Sequence, residues 1–196
     1  MNLVLIGGIA SGKNEIIDAL SCRENNDLWR CYDIDNLRAR FSDGTYAGDA
    51  YCWSLLLRAA QHEQRGVFSL YGDEPYVQTF NQTVSASLSK GTCRWLGVLL
   101  RSDIEAIGSR VSEKTAAPFP HSQQMSNTQK LYHASLLGLY QSDYVNNGQT
   151  PYPFFEFDTS KYDINSPLLV QDLIQQIEHF SQSLESSKLY SQQSYE

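Results

Sequence analysis

The sequence predicts a three-layer α/β protein with a mainly parallel, five-stranded sheet. Short apolar runs alternate with amphipathic stretches along most of the chain, a pattern typical of parallel sheets covered by helices on both faces. A glycine-rich turn joins the first apolar run to the first amphipathic stretch. The length of 196 residues is enough for one domain with a substantial core.

The strand candidates are short apolar runs bounded by glycine, proline or charged residues. They cover Asn2–Ile6, Trp29–Ile34, Val67–Tyr71, Arg94–Leu100 and Tyr152–Phe157. The helix candidates carry apolar residues three or four positions apart. They are Lys13–Ser21, Tyr46–Gln64, Tyr76–Lys90, a helix capped by Asp103 that ends near Lys114, Thr128–Val145, and a last helix opened by Ser166 and Pro167.

Two polar stretches interrupt this pattern. Residues 115–127 contain two prolines and predict a mobile loop. A small helical lid is expected at about residues 103–130, for the reason given below. Residues 181–196 are rich in serine and glutamine and predict a frayed or disordered tail. The folded domain is therefore expected to cover residues 1–180.

Composition and charge narrow the set of possible functions and partners. The hydrophobic fraction of 41% is that of an ordinary globular protein. A net charge of −7 disfavours nucleic acid as a partner, because such binding depends on basic patches. The four cysteines have no metal-ligand spacing, and the first apolar run is too short for a signal or membrane segment. We expect a cytoplasmic protein with no membrane partner.

The glycine-rich turn fits the pattern G-x-x-x-x-G-K between a strand and a helix. Glycines allow the backbone to curl until successive N–H groups point at a polyphosphate, and the lysine ammonium reaches its β- and γ-phosphates. The helix that follows adds its positive dipole end. We predict that the turn binds the phosphates of ATP through Gly7, Gly8, Ile9, Ala10, Ser11, Gly12, Lys13 and Asn14.

Asn14 departs from the usual pattern, in which a serine or threonine hydroxyl coordinates Mg²⁺. The asparagine side chain also offers a neutral oxygen, which a hard cation accepts. Asn14 could therefore bind the metal directly, bind it through a water, or not bind it.

A pair of carboxylates, Asp33 and Asp35, ends the second strand candidate. Residues two apart in a strand face the same way, and both would point at the phosphate loop if the second strand lay beside the first. Asp33 would then help to hold Mg²⁺, and Asp35 would accept a proton from an acceptor hydroxyl. The alternative is that Asp35 caps the next helix and Asp33 is solvated.

Together, the segments Gly7–Lys13 and Asp33–Asp35 resemble those of the P-loop kinases of the nucleotide and nucleoside kinase superfamily. The first segment is similar to that of dephospho-CoA kinases, but the likeness fades after Asp35, and that substrate is not carried over. Phe155–Ser160 is similar to the last strand of such kinases, whose following loop lies against the nucleotide base. The resemblance implies a P-loop NTPase fold, ATP and Mg²⁺ as cofactors, and base contacts from Thr159 and Ser160.

The same resemblance implies a lid whose basic residues neutralise charge on the transferred phosphoryl group. Arg110 and Lys114 lie four apart, on one helical face, and Arg101 is a possible third. We predict that Arg110 is the catalytic arginine. One arginine and one lysine make a thinner set than the two or more arginines usual in the family.

The acceptor contacts remain open. Arg38 and Arg40 could hold an anionic acceptor or pair with Asp43 or Asp49. Asp73 and Glu74 follow the third strand candidate and could hold the metal or contact the acceptor.

Three functions fit these patterns. The first is an ATP-dependent kinase for a small acceptor, with a nucleoside or nucleotide preferred. The second is a kinase that acts on a hydroxyl of DNA or RNA, or on a modified base in it, which the negative net charge disfavours. The third is a nucleotide-binding sensor that has lost catalysis, which Asn14 and the sparse lid favour.

Overall fold

The computed structural model describes residues 1–21, 29–71, 76–113 and 150–193. Five strands form one sheet in the order β2-β3-β1-β4-β5, and all four strand pairings are parallel. The predicted fold class is confirmed. The strands are β1 Asn2–Ile6, β2 Arg30–Asp33, β3 Gly66–Leu70, β4 Trp95–Arg101 and β5 Phe154–Asp158.

The described helices are α1 Lys13–Ser21, α2 Ile34–Phe41, α3 Tyr46–His62, α4 Val77–Ser89, α5 Ile104–Glu113 and α6 Pro167–Gln193. Within the described segments, none of these helices is long and apolar enough to cross a membrane. Helix α2 was not predicted, because its sequence has only a short apolar face. The predicted helix at 128–145 and the lid residues 114–130 lie outside the described residues.

Each face of the sheet carries its own apolar core, which explains the continuous apolar runs of the central strands. On one face, Phe68 of β3 packs with Trp53 of α3 and Phe80 of α4. On the other face, Leu5 of β1 packs with Ile16 of α1 and Leu173 of α6. The sheet is therefore the middle layer of three.

The sheet order changes the predicted surroundings of the carboxylates. β2 pairs with β3 and not with β1, so the expected neighbour relation between the first two strands does not hold. β2 also ends at Asp33, and Ile34 begins α2. Asp33 and Asp35 therefore do not share one face of a strand.

Helix α6 continues to Gln193, through much of the segment that the sequence predicts as frayed. Phe180 contacts the ring of Phe155 with 5.3 Å between centroids, and Glu185 forms an ion pair with Arg94. The hydroxyl of Ser186 also donates to the carbonyl of Gln182 at 3.0 Å. These contacts stabilise a helix whose composition alone does not predict it.

Candidate phosphotransfer site

The glycine turn has the backbone of a phosphate-binding loop. Ala10 and Gly12 have positive φ angles of 59° and 94°, which curl the chain between β1 and α1. At Gly12 an added Cβ would lie 2.7 Å from Cδ1 of Ile164, and at Gly7 it would overlap the Ser11 hydroxyl. Glycine is therefore favoured at Gly12 by the positive φ angle and at Gly7 by the close approach of Ser11, the two positions where the motif requires it.

Lys13 is buried at the centre of this loop, with 6% of its surface exposed. Its Nζ donates to the carbonyl oxygens of Gly7 and Gly8, the latter at 2.9 Å, and lies 4.1 Å from the centroid of the Tyr71 ring. Because α1 begins at Lys13, the ammonium and the positive end of the helix dipole coincide. This arrangement attracts an anionic polyphosphate.

The loop after β5 is tied to the phosphate loop by Thr159 and Arg110. The Thr159 hydroxyl lies 3.1 Å from the carbonyl oxygen of Ser11. NH1 of Arg110 donates to the carbonyl of Ala10 at 3.2 Å, and NH2 donates to the carbonyl of Thr159 at 2.6 Å. Burial lowers the pKa of Arg110, and the nearby carboxylates of Glu15 and Asp103 oppose this shift.

A cavity of about 510 Å³ opens beside this junction. Arg110 and Ser160 line it together with acidic side chains, and its rim offers hydrogen-bond acceptors rather than an array of cations. Such a lining suits the N–H and O–H donors of a base and a ribose better than phosphates. The lining residues are Asp103, Glu105, Ala106, Ser109, Arg110, Ser160, Tyr162, Asp163, Ile164 and Asn165.

Asp33, not Asp35, caps the next helix. Its Oδ1 accepts the backbone N–H of Asn36 at 2.9 Å, and 7% of its surface is exposed. The alternative predicted from sequence, with Asp35 as the cap and Asp33 in solvent, is therefore wrong. Asp33 is a buried N-cap.

Asp35 lies in the first turn of α2 and is held by two donors. Its Oδ2 accepts the hydroxyl of Tyr71 at 2.8 Å, and its Oδ1 accepts NH1 of Arg38 at 3.3 Å. Burial raises the pKa of Asp35, and the neighbouring charge of Asp33 raises it further. The Tyr71 hydrogen bond and the cations Arg38 and Lys13 oppose this rise.

Arg38 is 2% exposed, and its Nε donates to Oδ1 of Asp49 on α3 at 2.5 Å. Of the alternatives that the sequence left open, the structure shows the ion pair with Asp49. Asp43 instead accepts the backbone N–H of Thr45 at 3.0 Å. Arg38 therefore links α2 to α3 and lies behind Asp35.

Tyr71 is the site residue that the sequence analysis missed. It directly follows β3, between the elements that carry Lys13 and Asp35, and contacts both side chains. The available signal was its position at the carboxyl end of a strand, where ligands bind in sheets of this type. Without the strand order, Tyr71 could not be distinguished from a core residue.

Two predicted residues lie apart from this cluster, and three others cannot be placed relative to it. Arg101 pairs with Glu156 on the neighbouring strand at 3.0 Å, and Arg40 is exposed on α2. Asp73, Glu74 and Lys114 lie outside the described residues.

The donor groups fit Mg²⁺ in their chemistry. Asn14 is exposed in the first turn of α1, and Asp33 ends β2; both offer oxygen, which Mg²⁺ prefers. In the described ranges no three histidine, cysteine or acidic side chains form a metal-binding group. This is compatible with Mg²⁺, which is usually held by one or two protein oxygens, phosphates and waters.

The sheet order and the glycine loop that ends in Lys13 define a P-loop NTPase fold. No family model and no curated protein matches the chain. Among solved structures, a shikimate kinase from Bacteroides thetaiotaomicron is 13% identical, with a TM-score of 0.55, over 93% of this chain and 98% of its own.

Two further structures have the same fold. A deoxyadenosine kinase from M. mycoides with bound dATP is 14% identical, with a TM-score of 0.53, over 91% of this chain and 100% of its own. A gluconokinase from Sinorhizobium meliloti is 12% identical, with a TM-score of 0.56, over 95% of this chain and 96% of its own. These structural similarities show the fold, but at such low identities they do not show which acceptor is used.

Proposed function

We propose that the protein is an ATP-dependent phosphotransferase that moves the γ-phosphoryl group to a hydroxyl of a small acceptor. A nucleoside or nucleotide is the preferred acceptor class. The observation that carries this proposal is that one residue, Tyr71, contacts both the lysine of the phosphate loop and the carboxylate of the proposed base, Asp35. Lys13 lies 4.1 Å from the Tyr71 ring, and the hydroxyl of that same residue lies 2.8 Å from Asp35.

ATP is proposed to lie along the junction of the two tied loops. The glycine loop, from Gly7 to Asn14, would bind its phosphates, with Lys13 on the β- and γ-phosphates. The base and ribose would occupy the acidic cavity, which Ser160 lines, and Thr159 precedes Ser160 in the loop that is tied to Ser11. With its γ-phosphate at Lys13, ATP would lie beside Tyr71, whose hydroxyl contacts Asp35.

Mg²⁺ is proposed to be held by Asn14 and Asp33, together with phosphate oxygens and water. When bound, it supplies positive charge that offsets the charge on the transferred group.

Asp35 is proposed to act as the general base. Its carboxylate takes the proton of the acceptor hydroxyl while that oxygen forms a bond to the γ-phosphorus, and the bond from γ-phosphorus to the bridging oxygen of ADP breaks. Burial and Asp33 raise the pKa of Asp35, which makes it a stronger base than an exposed aspartate. Lys13 stabilises the negative charge that develops on the phosphoryl oxygens.

Arg110 is proposed as a second cation for this charge. In the described conformation its NH1 and NH2 donate to protein oxygens, among them Ala10 and Thr159, so it must exchange some of these bonds to reach the γ-phosphate. Arg38, Asp73 and Glu74 are proposed to contribute to acceptor binding. For Arg38 this contribution is made through Asp35, because two carboxylates hold its guanidinium.

The experiment that tests the proposal is an ADP-production screen over nucleosides, nucleoside monophosphates, dephospho-CoA and oligonucleotides. For the best acceptor, Asp35→Asn is expected to lower kcat by about 10²-fold, because general-base catalysis contributes about that much. Asp18→Asn, an exposed carboxylate on α1, is the matched control and should leave kcat unchanged. If Asp35→Asn keeps kcat within a few-fold, Asp35 is not the base.

A nucleotide-binding sensor without catalysis is the second candidate. It is favoured by the protein contacts of Arg110 and by the exposed Asn14 in place of a serine or threonine. ATP binding without ADP production across the whole acceptor panel would support it. Transfer to an oligonucleotide but not to free nucleosides would instead identify a nucleic-acid kinase.

A further inference from the structure

We infer that Tyr71 is a positioning residue that couples the two halves of the site. Its ring holds the Lys13 ammonium, and its hydroxyl orients the Asp35 carboxylate. This inference rests on the proposed function, because it treats Lys13 as the donor-phosphate ligand and Asp35 as the group that faces the acceptor. It adds a residue to which the phosphate-loop motif gives no role.

The sheet order places Tyr71 between the two halves. β3 lies between β1 and β2, with Leu70 opposite Ile6 of β1 and Ser69 opposite Asp33 of β2. Tyr71 is the next residue after Leu70, at the edge where all three strands end. A side chain there reaches the phosphate loop on one side and the start of α2 on the other.

The ring holds Lys13 without neutralising it. The ammonium is 4.1 Å from the ring centroid, and it donates on its other side to the carbonyl oxygens of Gly7 and Gly8. A carboxylate in the place of the ring would form an ion pair and compete with phosphate, whereas an aromatic face attracts the cation through its quadrupole. The contact with the ring therefore leaves the positive charge of Lys13 in place.

The hydroxyl fixes the rotation of the Asp35 carboxylate. Tyr71 donates to Oδ2 at 2.8 Å and Arg38 donates to Oδ1 at 3.3 Å, so each oxygen has one donor. A carboxylate has about four lone-pair positions, and two donors leave room for a substrate hydroxyl. Loss of the Tyr71 hydroxyl would free the carboxylate to turn about its Cβ–Cγ bond.

Two substitutions separate the ring from the hydroxyl. Tyr71→Phe keeps the ring and removes the bond to Asp35, so we expect kcat to fall about tenfold while the Kd for ATP stays within twofold. Tyr71→Leu removes both contacts, and we expect the Kd for ATP to rise about fivefold in addition. The Kd is measured by calorimetry and needs no acceptor.

The matched control is Tyr32→Phe. The Tyr32 hydroxyl donates to Oε1 of Glu63 at 2.6 Å, which is the same type of bond outside the site. This variant should leave both kcat and the Kd for ATP unchanged. Thermal unfolding of all variants checks that each is folded.

A double substitution tests whether the hydroxyl acts through Asp35. In an Asp35→Asn background, Tyr71→Phe should lower kcat no further, because contacting residues that act as a unit are not additive. Additive losses, or an unchanged kcat in Tyr71→Phe alone, would overturn the orienting role. An ATP affinity in Tyr71→Leu equal to that of the natural protein would overturn the role of the ring and leave the proposed function standing. Failure of the natural protein to bind ATP would overturn both proposals.

Discussion

The two halves of the site are built in different ways. The half proposed to bind ATP, here called the donor half, consists of the glycine loop and Lys13. Its Lys13 ammonium donates to carbonyl oxygens six and five residues away, those of Gly7 and Gly8. The half proposed to face the acceptor, here called the acceptor half, consists of Asp35, Arg38 and Tyr71. In it, Arg38 donates to Asp49, eleven residues away, and Tyr71 donates to Asp35, thirty-six residues away. The backbone of the donor half follows a local motif, which Thr159 and Arg110 support from a distance, whereas the acceptor half exists only after the sheet and the α2–α3 pair have formed.

The largest expected effect is on the donor half. Lys13→Met removes the buried ammonium from the loop, and we expect kcat/KM to fall about 10³-fold, because charge that develops on the phosphoryl group loses its fixed partner. Because methionine keeps the apolar stem of the side chain, and the hydrogen bonds of Nζ to Gly7 and Gly8 are local, the free energy of unfolding should change by less than about 1 kcal/mol. Steady-state kinetics and urea unfolding measure the two quantities.

The matched control is Lys90→Met, which removes an exposed ammonium at the end of α4 and should leave kcat/KM unchanged. A large loss of stability in Lys13→Met would contradict the view that the role of Lys13 is in binding and catalysis rather than in the fold.

In contrast to Lys13→Met, Arg38→Met should lower the stability strongly and the activity only secondarily. It leaves Asp35 and Asp49 without their shared cation, and breaking a buried ion pair of this type costs about 3 kcal/mol. Arg38 is 2% exposed, so water does not replace the lost bonds. We expect a lower urea midpoint with an unchanged m value, and only a secondary loss of activity.

Arg58→Met removes an exposed arginine of α3 and is the control for this prediction. If Arg38→Met raised the KM for the acceptor strongly and left the urea midpoint unchanged, the arginine would bind the acceptor directly. The acceptor half would then be less dependent on the ion-pair network than the contacts indicate.

This contrast explains what could be predicted from the sequence. The motif Gly7–Lys13 and its flanking elements predicted the phosphate loop, because the glycines and the positive φ angle at Gly12 are requirements of the local backbone. The five parallel strands were predicted because buried strands appear as continuous apolar runs. Both features depend on residues that are close in sequence.

The acceptor half could not be predicted in the same way. The contact between Tyr71 and Asp35 depends on β3 lying between β1 and β2, and strand order is not encoded in any single segment. Helix α2 was missed because it has eight residues and its helical face is largely polar. Because it begins at Ile34, its N-cap is Asp33 and not Asp35, which the sequence analysis gave as the alternative.

Gly12→Ala tests the local geometry of the donor half with a smaller effect. The residue has φ +94° and an added Cβ would lie 2.7 Å from Ile164, so strain of about 1–2 kcal/mol is expected. We expect the Kd for ATP to rise and the KM for the acceptor to stay constant. Gly91→Ala is the control, because Gly91 has φ +63° with nothing within 4 Å of an added Cβ; it should lose stability through the backbone alone and bind ATP normally.

The smallest effect concerns Asn14, where the local motif departs from its usual residue. If its side-chain oxygen is a Mg²⁺ ligand, Asn14→Ala should raise the Mg²⁺ concentration for half-maximal rate about fivefold, the effect of one modest polar contact. Asn14→Thr restores an oxygen at this position and should bring that concentration back to the natural value or below it. Because Asn14 is exposed, neither change should alter stability.

Equal Mg²⁺ dependence in all three proteins would mean that Asn14 is not a ligand, and that Asp33 and the phosphates hold the metal without it. The donor half would then take its metal ligand from β2, and the Asp33 carboxylate would be a second link between the two halves beside Tyr71.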